Sequence, residues 1–118
     1  MTEPARRDLL ILIAPGFEDP AHPGRRFFCP DCNQLEGVLA SDPALAEKIE
    51  VRRVPFPRPR AEVVALLGEE NQGLPVLILG DGAPPPADAR THEGLAFVTD
   101  TRRILELIAE RHGSAFPH

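Results

Sequence analysis

The chain has 118 residues, a formal net charge of −5 and 42% hydrophobic residues, which suits a single domain with one core. This acidic balance argues against nucleic acid or an anionic membrane as the main partner. No apolar run approaches the roughly 18 residues that span a bilayer. Two cysteines are too few for a disulfide-rich scaffold.

The amino-terminal segment is polar and charged, without an apolar stretch before a cleavage site, so we expect a cytoplasmic protein. Thiols in the cytoplasm are kept reduced, and a close cysteine pair there is more often catalytic or metal-binding than structural. The position of the two cysteines therefore carries most of the functional information.

Prolines and glycines divide the chain into segments. The first segment, Leu9 to Ala14, is a continuous apolar run that predicts a strand buried on both faces. A loop rich in proline and glycine follows as far as Phe28, and apolar residues then recur at helical spacing. Because Asp42-Pro43 is typical of a new helix start, we expect this helix to kink or restart near Ser41.

The second half of the chain continues the alternation of strands and helices. In order, the pattern predicts a strand at 51–56, a short helix at 60–67, a buried strand at 74–79, a strand at 95–98, a helix at 99–112 and a frayed tail at 114–118. The order is β-α-β-α-β-β-α. We therefore expect an α/β fold in one domain, 1–118 with a core at about 8–112. Its mixed four-stranded sheet would have a parallel first pair, an antiparallel last pair and flanking helices.

Cys29 and Cys32 fall between the first strand and the first helix. A helix start offers free N–H groups and the positive end of the helix dipole, and Pro30 suits its first turn. These features favour a thiolate at Cys29 over a thiol. Cys32 lies about one turn further, on the same face, where it can close a disulfide with Cys29. The pair predicts Cys29 as the attacking sulfur and Cys32 as the resolving one.

Two other interpretations of the cysteine pair stay open. Isolated cysteines are often buried and inert. A structural zinc site would need further ligands, for which His22 and His92 are the candidates, but a second cysteine pair is missing. We expect no bound metal. Asp31 opposes a thiolate at Cys29, because a neighbouring carboxylate favours the protonated form.

These features resemble the thioredoxin-like superfamily over residues 8–112. The resemblance rests on the element order, on the Cys-Pro-Asp-Cys motif at 29–32, and on Leu74-Pro75 opening the third strand. The chain is also similar to a bacterial family of that superfamily without an assigned activity. The resemblance implies a cis peptide bond before Pro75, packed against the cysteine pair. It also implies that the backbone of Leu74 pairs with an extended peptide or with the cysteinyl part of glutathione.

Within the superfamily, the proline after the first cysteine is similar to glutaredoxins. Asp100 and Thr101, at the start of the last helix, are similar to the residues of glutathione transferase N-terminal domains that hold the γ-glutamyl group. A plain helix cap explains them equally well. By geometry, the loop after the second strand lies beside the cysteines, so Arg58 or Arg60 is placed to bind a carboxylate. A solvated basic turn is the alternative.

The resemblance implies a glutaredoxin-like thiol–disulfide oxidoreductase without a bound cofactor. Its partners would be a protein or small-molecule disulfide, with glutathione as a co-substrate, and neither nucleic acid nor membrane; a homodimer is allowed. The alternative is a non-catalytic binding or assembly module on the same fold. That alternative is suggested by the long loop before the motif, by the proline-rich loops and by Asp31.

Overall fold

A computed structural model describes residues 6–118. Residues 1–5, part of the polar segment in which we expect no secretory signal, lie outside the described residues. The elements are β1 (Leu9–Ile13), α1 (Pro30–Ser41), a 3-10 helix (Pro43–Glu47), β2 (Glu50–Val54), α2 (Ala61–Leu67), β3 (Val76–Ile78), β4 (Arg90–His92), β5 (Leu95–Val98) and α3 (Thr101–His112).

The strands form a mixed sheet in the order β2-β1-β3-β5-β4. β1 and β2 are parallel, whereas β3 runs antiparallel to both β1 and β5. This arrangement confirms the α/β class, the parallel first pair and the antiparallel pairing of β3 with β5. None of the helices described between residues 6 and 118 is long and apolar enough to cross a membrane.

From Leu9 to Leu12, side chains of β1 alternate between two hydrophobic clusters, one on each face of the sheet, because successive strand residues point to opposite faces. Leu10 and Leu12 pack with buried residues of α1, the 3-10 helix and α3. Leu9 and Ile11 pack with buried residues of α2 and β3. All five residues of β1 are therefore buried, which explains why its sequence is apolar without alternation.

The expected four-stranded sheet is wrong, because the described residues form five strands. The additional strand, β4, pairs antiparallel with β5 through a turn in which Glu93 and Gly94 both have positive φ. Its three residues are Arg-Thr-His, largely exposed at the sheet edge. A strand without an apolar face gives no hydrophobic signal in the sequence, so the sequence pattern does not predict β4.

The break after α1 matches the prediction, whereas the carboxy-terminal tail does not. α1 ends at Ser41 and a 3-10 helix begins at Pro43, so the expected restart is confirmed. The tail is not frayed, because Ser114 is buried and Arg102 donates to the carbonyls of Pro117 and His118 at 3.3 and 3.4 Å. The backbone carbonyls of the tail therefore accept hydrogen bonds that the sequence pattern does not predict.

Asp8, immediately before β1, holds the amino end of this strand against the end of α3. Its side chain accepts hydrogen bonds from Arg111 at 2.8 and 3.0 Å, from the Gly80 amide at 2.6 Å, and lies 2.8 Å from Nε2 of His112. Asp8 is only 3% exposed. This network lies at the edge of the sheet where β1 begins, opposite the edge where β1 ends.

Candidate active site

The predicted site residues share one edge of the sheet. β1, β2 and β5 end at this edge and β3 begins there, since β1 is parallel to β2 and β3 is antiparallel to β1 and β5. The loops at this edge carry Cys29 and Cys32 after β1, Arg58 and Arg60 after β2, Leu74 and Pro75 before β3, and Asp100 and Thr101 after β5. The topology thus gathers residues that are far apart in the sequence.

Cys29 caps the amino end of α1, as the sequence predicts. Its backbone is extended, with φ −80° and ψ 116°, and its sulfur accepts a hydrogen bond from the Cys32 amide at 3.2 Å. Pro30 occupies the first turn, where a missing N–H leaves no bond unmade. Cys29 is half-buried, so its sulfur lies at the positive end of the helix dipole without being sealed in the core.

Cys32 lies beneath Cys29 and is only 2% exposed. Its sulfur accepts a hydrogen bond from the Ile13 amide at 3.4 Å. Burial raises the pKa of Cys32 to about 12; the Ile13 bond acts in the opposite direction, and the neighbouring Cys29 and Asp31 add to the rise. The two thiols are therefore unequal, with an accessible outer sulfur and a protonated inner one.

The Ile13 amide is available to Cys32 because β3 does not extend opposite it. The last registered pair between β1 and β3 is Ile11 with Val76, two residues before Ile13. The Leu74–Pro75 bond just before β3 is cis, as the resemblance implies. Pro75 is buried and Leu74 is half-buried against the same cluster that contains Cys32.

Arg58 and Arg60 have different environments, although the sequence placed them together. Arg58 is exposed, and a second cis bond, which no pattern predicted, joins it to Pro59. Arg60 is only 7% exposed. Its guanidinium donates to the Phe56 carbonyl at 2.8 and 3.0 Å and to the Gln72 carbonyl at 2.8 Å. Arg60 therefore connects the loop after β2 to the loop before β3.

The guanidinium of Arg60 also lies within electrostatic range of the thiols. Burial lowers the pKa of Arg60 and the charge of Arg58 lowers it further, whereas negative charge at Cys32 and Cys29 raises it. The sequence predicts that Arg58 or Arg60 binds a carboxylate and does not choose between them. Only the structure distinguishes the buried arginine from the exposed one, because both stand in a proline-rich, polar segment.

Asp100 and Thr101 stand where α3 begins. The Asp100 carboxylate accepts a hydrogen bond from the Arg103 amide at 2.8 Å and caps the helix. The observed hydrogen bond of Asp100 is therefore that of a helix cap. Asp100 follows the end of β5, at the edge of the sheet where β3 begins. Asp100 therefore also lies at the edge of the sheet that carries the cysteines, where it can contact a ligand.

An aromatic cluster beside the cysteines was not predicted. Phe17 and Phe27 pair through their backbones, with hydrogen bonds of 3.1 and 2.8 Å, and fold the long loop into a hairpin. The ring of Phe56 stacks on Phe17 with centroids 4.3 Å apart. Phe28, next to Cys29, is 55% exposed. The signal available in the sequence was the concentration of phenylalanine in the loops after β1 and β2.

The two histidines considered for zinc do not meet the cysteines. The ring of His22 contacts Phe27, with centroids 6.0 Å apart. His92 ends β4 at the opposite edge of the sheet. Across residues 6–118, no three His, Cys, Asp or Glu side chains are grouped so as to hold a metal ion.

Comparison with known proteins gives one result. No curated protein and no solved structure matches the chain significantly. A family model with the description "Protein of unknown function (DUF3088)" matches residues 7–116, which is nearly the full length. The chain therefore belongs to the DUF3088 family.

Proposed function

We propose that this protein is a thiol–disulfide oxidoreductase of thioredoxin-like fold, closest in chemistry to glutaredoxins. The observation that carries the proposal is the unequal pair at the start of α1. Cys29 is half-buried and its sulfur is held by a helix amide, whereas Cys32 lies buried one turn further along. An accessible nucleophile above a protected resolving thiol is the arrangement that disulfide exchange requires.

The reaction follows from the two positions. The Cys29 thiolate attacks one sulfur of a substrate disulfide, whose S–S bond breaks, and the released thiolate takes a proton from water. Cys32 then loses its proton and attacks the Cys29 sulfur, which releases the second substrate thiol and leaves a Cys29–Cys32 disulfide. Two molecules of glutathione return the pair to the dithiol and become glutathione disulfide.

The loops around the cysteines provide a place for the substrate. In this proposal, the backbone of Leu74 beside Pro75 contacts the substrate next to its disulfide. Arg58, which is exposed, binds a carboxylate, and Asp100 with Thr101 receives a γ-glutamyl group. The substrate is a protein or small-molecule disulfide, with glutathione as co-substrate and no bound cofactor. The reaction belongs to the cytoplasm, where glutathione keeps thiols reduced.

A non-catalytic binding module on the same fold is the second candidate. The observation that favours it is Phe28, a large apolar side chain that is 55% exposed directly beside Cys29. In this candidate, Phe28 contacts the partner as part of a larger apolar surface. A binding module would keep its partner affinity when both cysteines are replaced.

Replacement of each cysteine separates the two candidates. We expect the wild-type protein to reduce a glutathionylated peptide with glutathione as electron donor, followed by the formation of glutathione disulfide. C29S removes the attacking sulfur and reduces the rate to background. C32S keeps this single-cysteine reaction but loses the reduction of insulin disulfides, which needs resolution. Unchanged rates in C29S, or an inactive wild type, contradict the proposal.

A further inference from the structure

Arg60 brings a positive charge into a buried position. Its guanidinium is fixed by three hydrogen bonds to the carbonyl oxygens of Phe56 and Gln72, and its own amide donates to Oε1 of Gln72 at 2.7 Å. Within residues 6–118, no carboxylate lies within ion-pair distance of this guanidinium. The guanidinium also lies over the ring of Phe56, 5.7 Å from its centroid, so its positive charge is held by carbonyls and a ring rather than by an anion. Such a buried positive charge favours a negative charge that forms nearby.

Cys32 lies in a buried environment that disfavours its thiolate form. As the proposed resolving thiol it must lose its proton, but burial raises its pKa to about 12. The groups that face it are the Ile13 amide, which favours the thiolate, and Cys29 and Asp31, which oppose it when charged.

Arg60 lies beside the same hydrophobic cluster as Cys32, because its guanidinium bonds the carbonyl of Phe56, whose side chain packs with Leu74 against the buried residues of that cluster. A positive charge in this position attracts a thiolate at Cys32.

The charges that act on Cys32 change when Cys29 is bound to substrate. A cysteine in a mixed disulfide carries no charge, so its opposition to a Cys32 thiolate ends at that moment. Asp31 is exposed, and solvent screens its charge. Arg60 and the Ile13 amide are both held in place and continue to favour the thiolate.

We propose that Arg60 is a positioning residue for the resolving step, in which its buried guanidinium stabilises the Cys32 thiolate while Cys29 is held in a mixed disulfide. This inference rests on the proposed function. In the step, Cys32 gives its proton to water and attacks the Cys29 sulfur. The bond between Cys29 and the substrate sulfur breaks, and the leaving thiolate is protonated by solvent. The substrate disulfide is the oxidant, so no other reagent is needed.

Reaction with dipyridyl disulfide tests the inference, because this uncharged reagent releases one absorbing thiopyridone at each step. The first release reports attack by Cys29 and the second reports resolution by Cys32. We expect R60M to leave the first rate within about twofold of wild type and to slow the second at neutral pH by about tenfold, which corresponds to one pKa unit. The second rates should converge as the pH rises.

Three further variants separate an electrostatic role from a structural one. R60K restores the charge, and we expect it to recover most of the second rate. R52M removes an exposed arginine of β2, and we expect it to behave as wild type. If R60M does not fold, R60Q gives the same test, because its side chain still donates a hydrogen bond to the carbonyls.

Equal second-phase rates in wild type and a folded R60M or R60Q at every pH overturn the inference and leave the proposed function intact. A folded R60K that remains as slow as R60M also overturns it, because charge is then irrelevant. A wild-type protein that never gives the first release contradicts the proposed function itself. The two failures are therefore distinguishable in one experiment.

Discussion

Asp8 shows how a single buried charge is stabilised in this chain. It is 3% exposed, and the side chain of its partner Arg111 is 7% exposed. Burial alone raises the pKa of Asp8, but hydrogen bonds from Arg111, Gly80 and His112 outweigh burial and lower the pKa below its ordinary value of 3.8. The carboxylate therefore stabilises the fold only while it is ionised.

Replacement of Asp8 removes this anion and leaves the Arg111 guanidinium without a carboxylate, bonded only to the carbonyls of Ala83 and Pro84. We expect D8N to lower the free energy of unfolding by about 3–5 kcal/mol at neutral pH, measured by urea denaturation. D81N is the matched control, since Asp81 forms an exposed ion pair with Arg6, and we expect a loss of no more than about 1 kcal/mol.

The effect of D8N on stability should also depend on pH. Because the folded-state pKa of Asp8 is lowered, its contribution is complete above its unfolded value of 3.8. The unfolded chain binds the proton first as the pH falls. The difference in stability between wild type and D8N should therefore shrink progressively below about pH 4. A difference that stays constant down to pH 2, or one near zero at neutral pH, contradicts the assigned role.

The segment before β1 passes close to the residues that follow β3. A Cβ built on Gly80 would collide with the backbone of Arg6 and Arg7, and Asp8 anchors that segment to the Gly80 amide. Backbone cannot rotate away as a flexible side chain can, so this position requires glycine for space.

Alanine substitutions at two nearby glycines test this close approach. We expect G80A to lower the free energy of unfolding by about 1–3 kcal/mol or more, because β3 and the segment before β1 must separate. A Cβ at Gly82 meets nothing within 4 Å, so G82A should change stability by less than about 0.5 kcal/mol. Equal stabilities of G80A and G82A in thermal unfolding are incompatible with this packing.

The sequence predicted the elements that have strong local signals. The start of α1 at Cys29-Pro30 was readable because a cap and a proline in the first turn have fixed chemistry. β4 was not readable, since its Arg-Thr-His has no apolar face and is fixed only by pairing with β5. Elements without a buried face depend on their neighbours rather than on their own residues.

Across the molecule, parallel β1 and β2 bring the cysteine loop and the arginine loop to one edge, and this juxtaposition was predictable from element order. The burial of Arg60 was not, because no local pattern distinguishes an arginine bonded to loop carbonyls from one in solvent. The contact of Phe17 with Phe56 was missed for the same reason. What joins two loops depends on their approach in space, which single-sequence patterns do not contain.

The redox state of the Cys29–Cys32 pair in glutathione buffers is the most direct measurement. Protein equilibrated across a range of reduced to oxidised glutathione, then acid-quenched and weighed by mass spectrometry, should convert reversibly between the dithiol and a form lacking two hydrogens. Neither C29S nor C32S should form that species. If both thiols of the folded wild-type protein stay free at every glutathione ratio, the pair is not a redox centre.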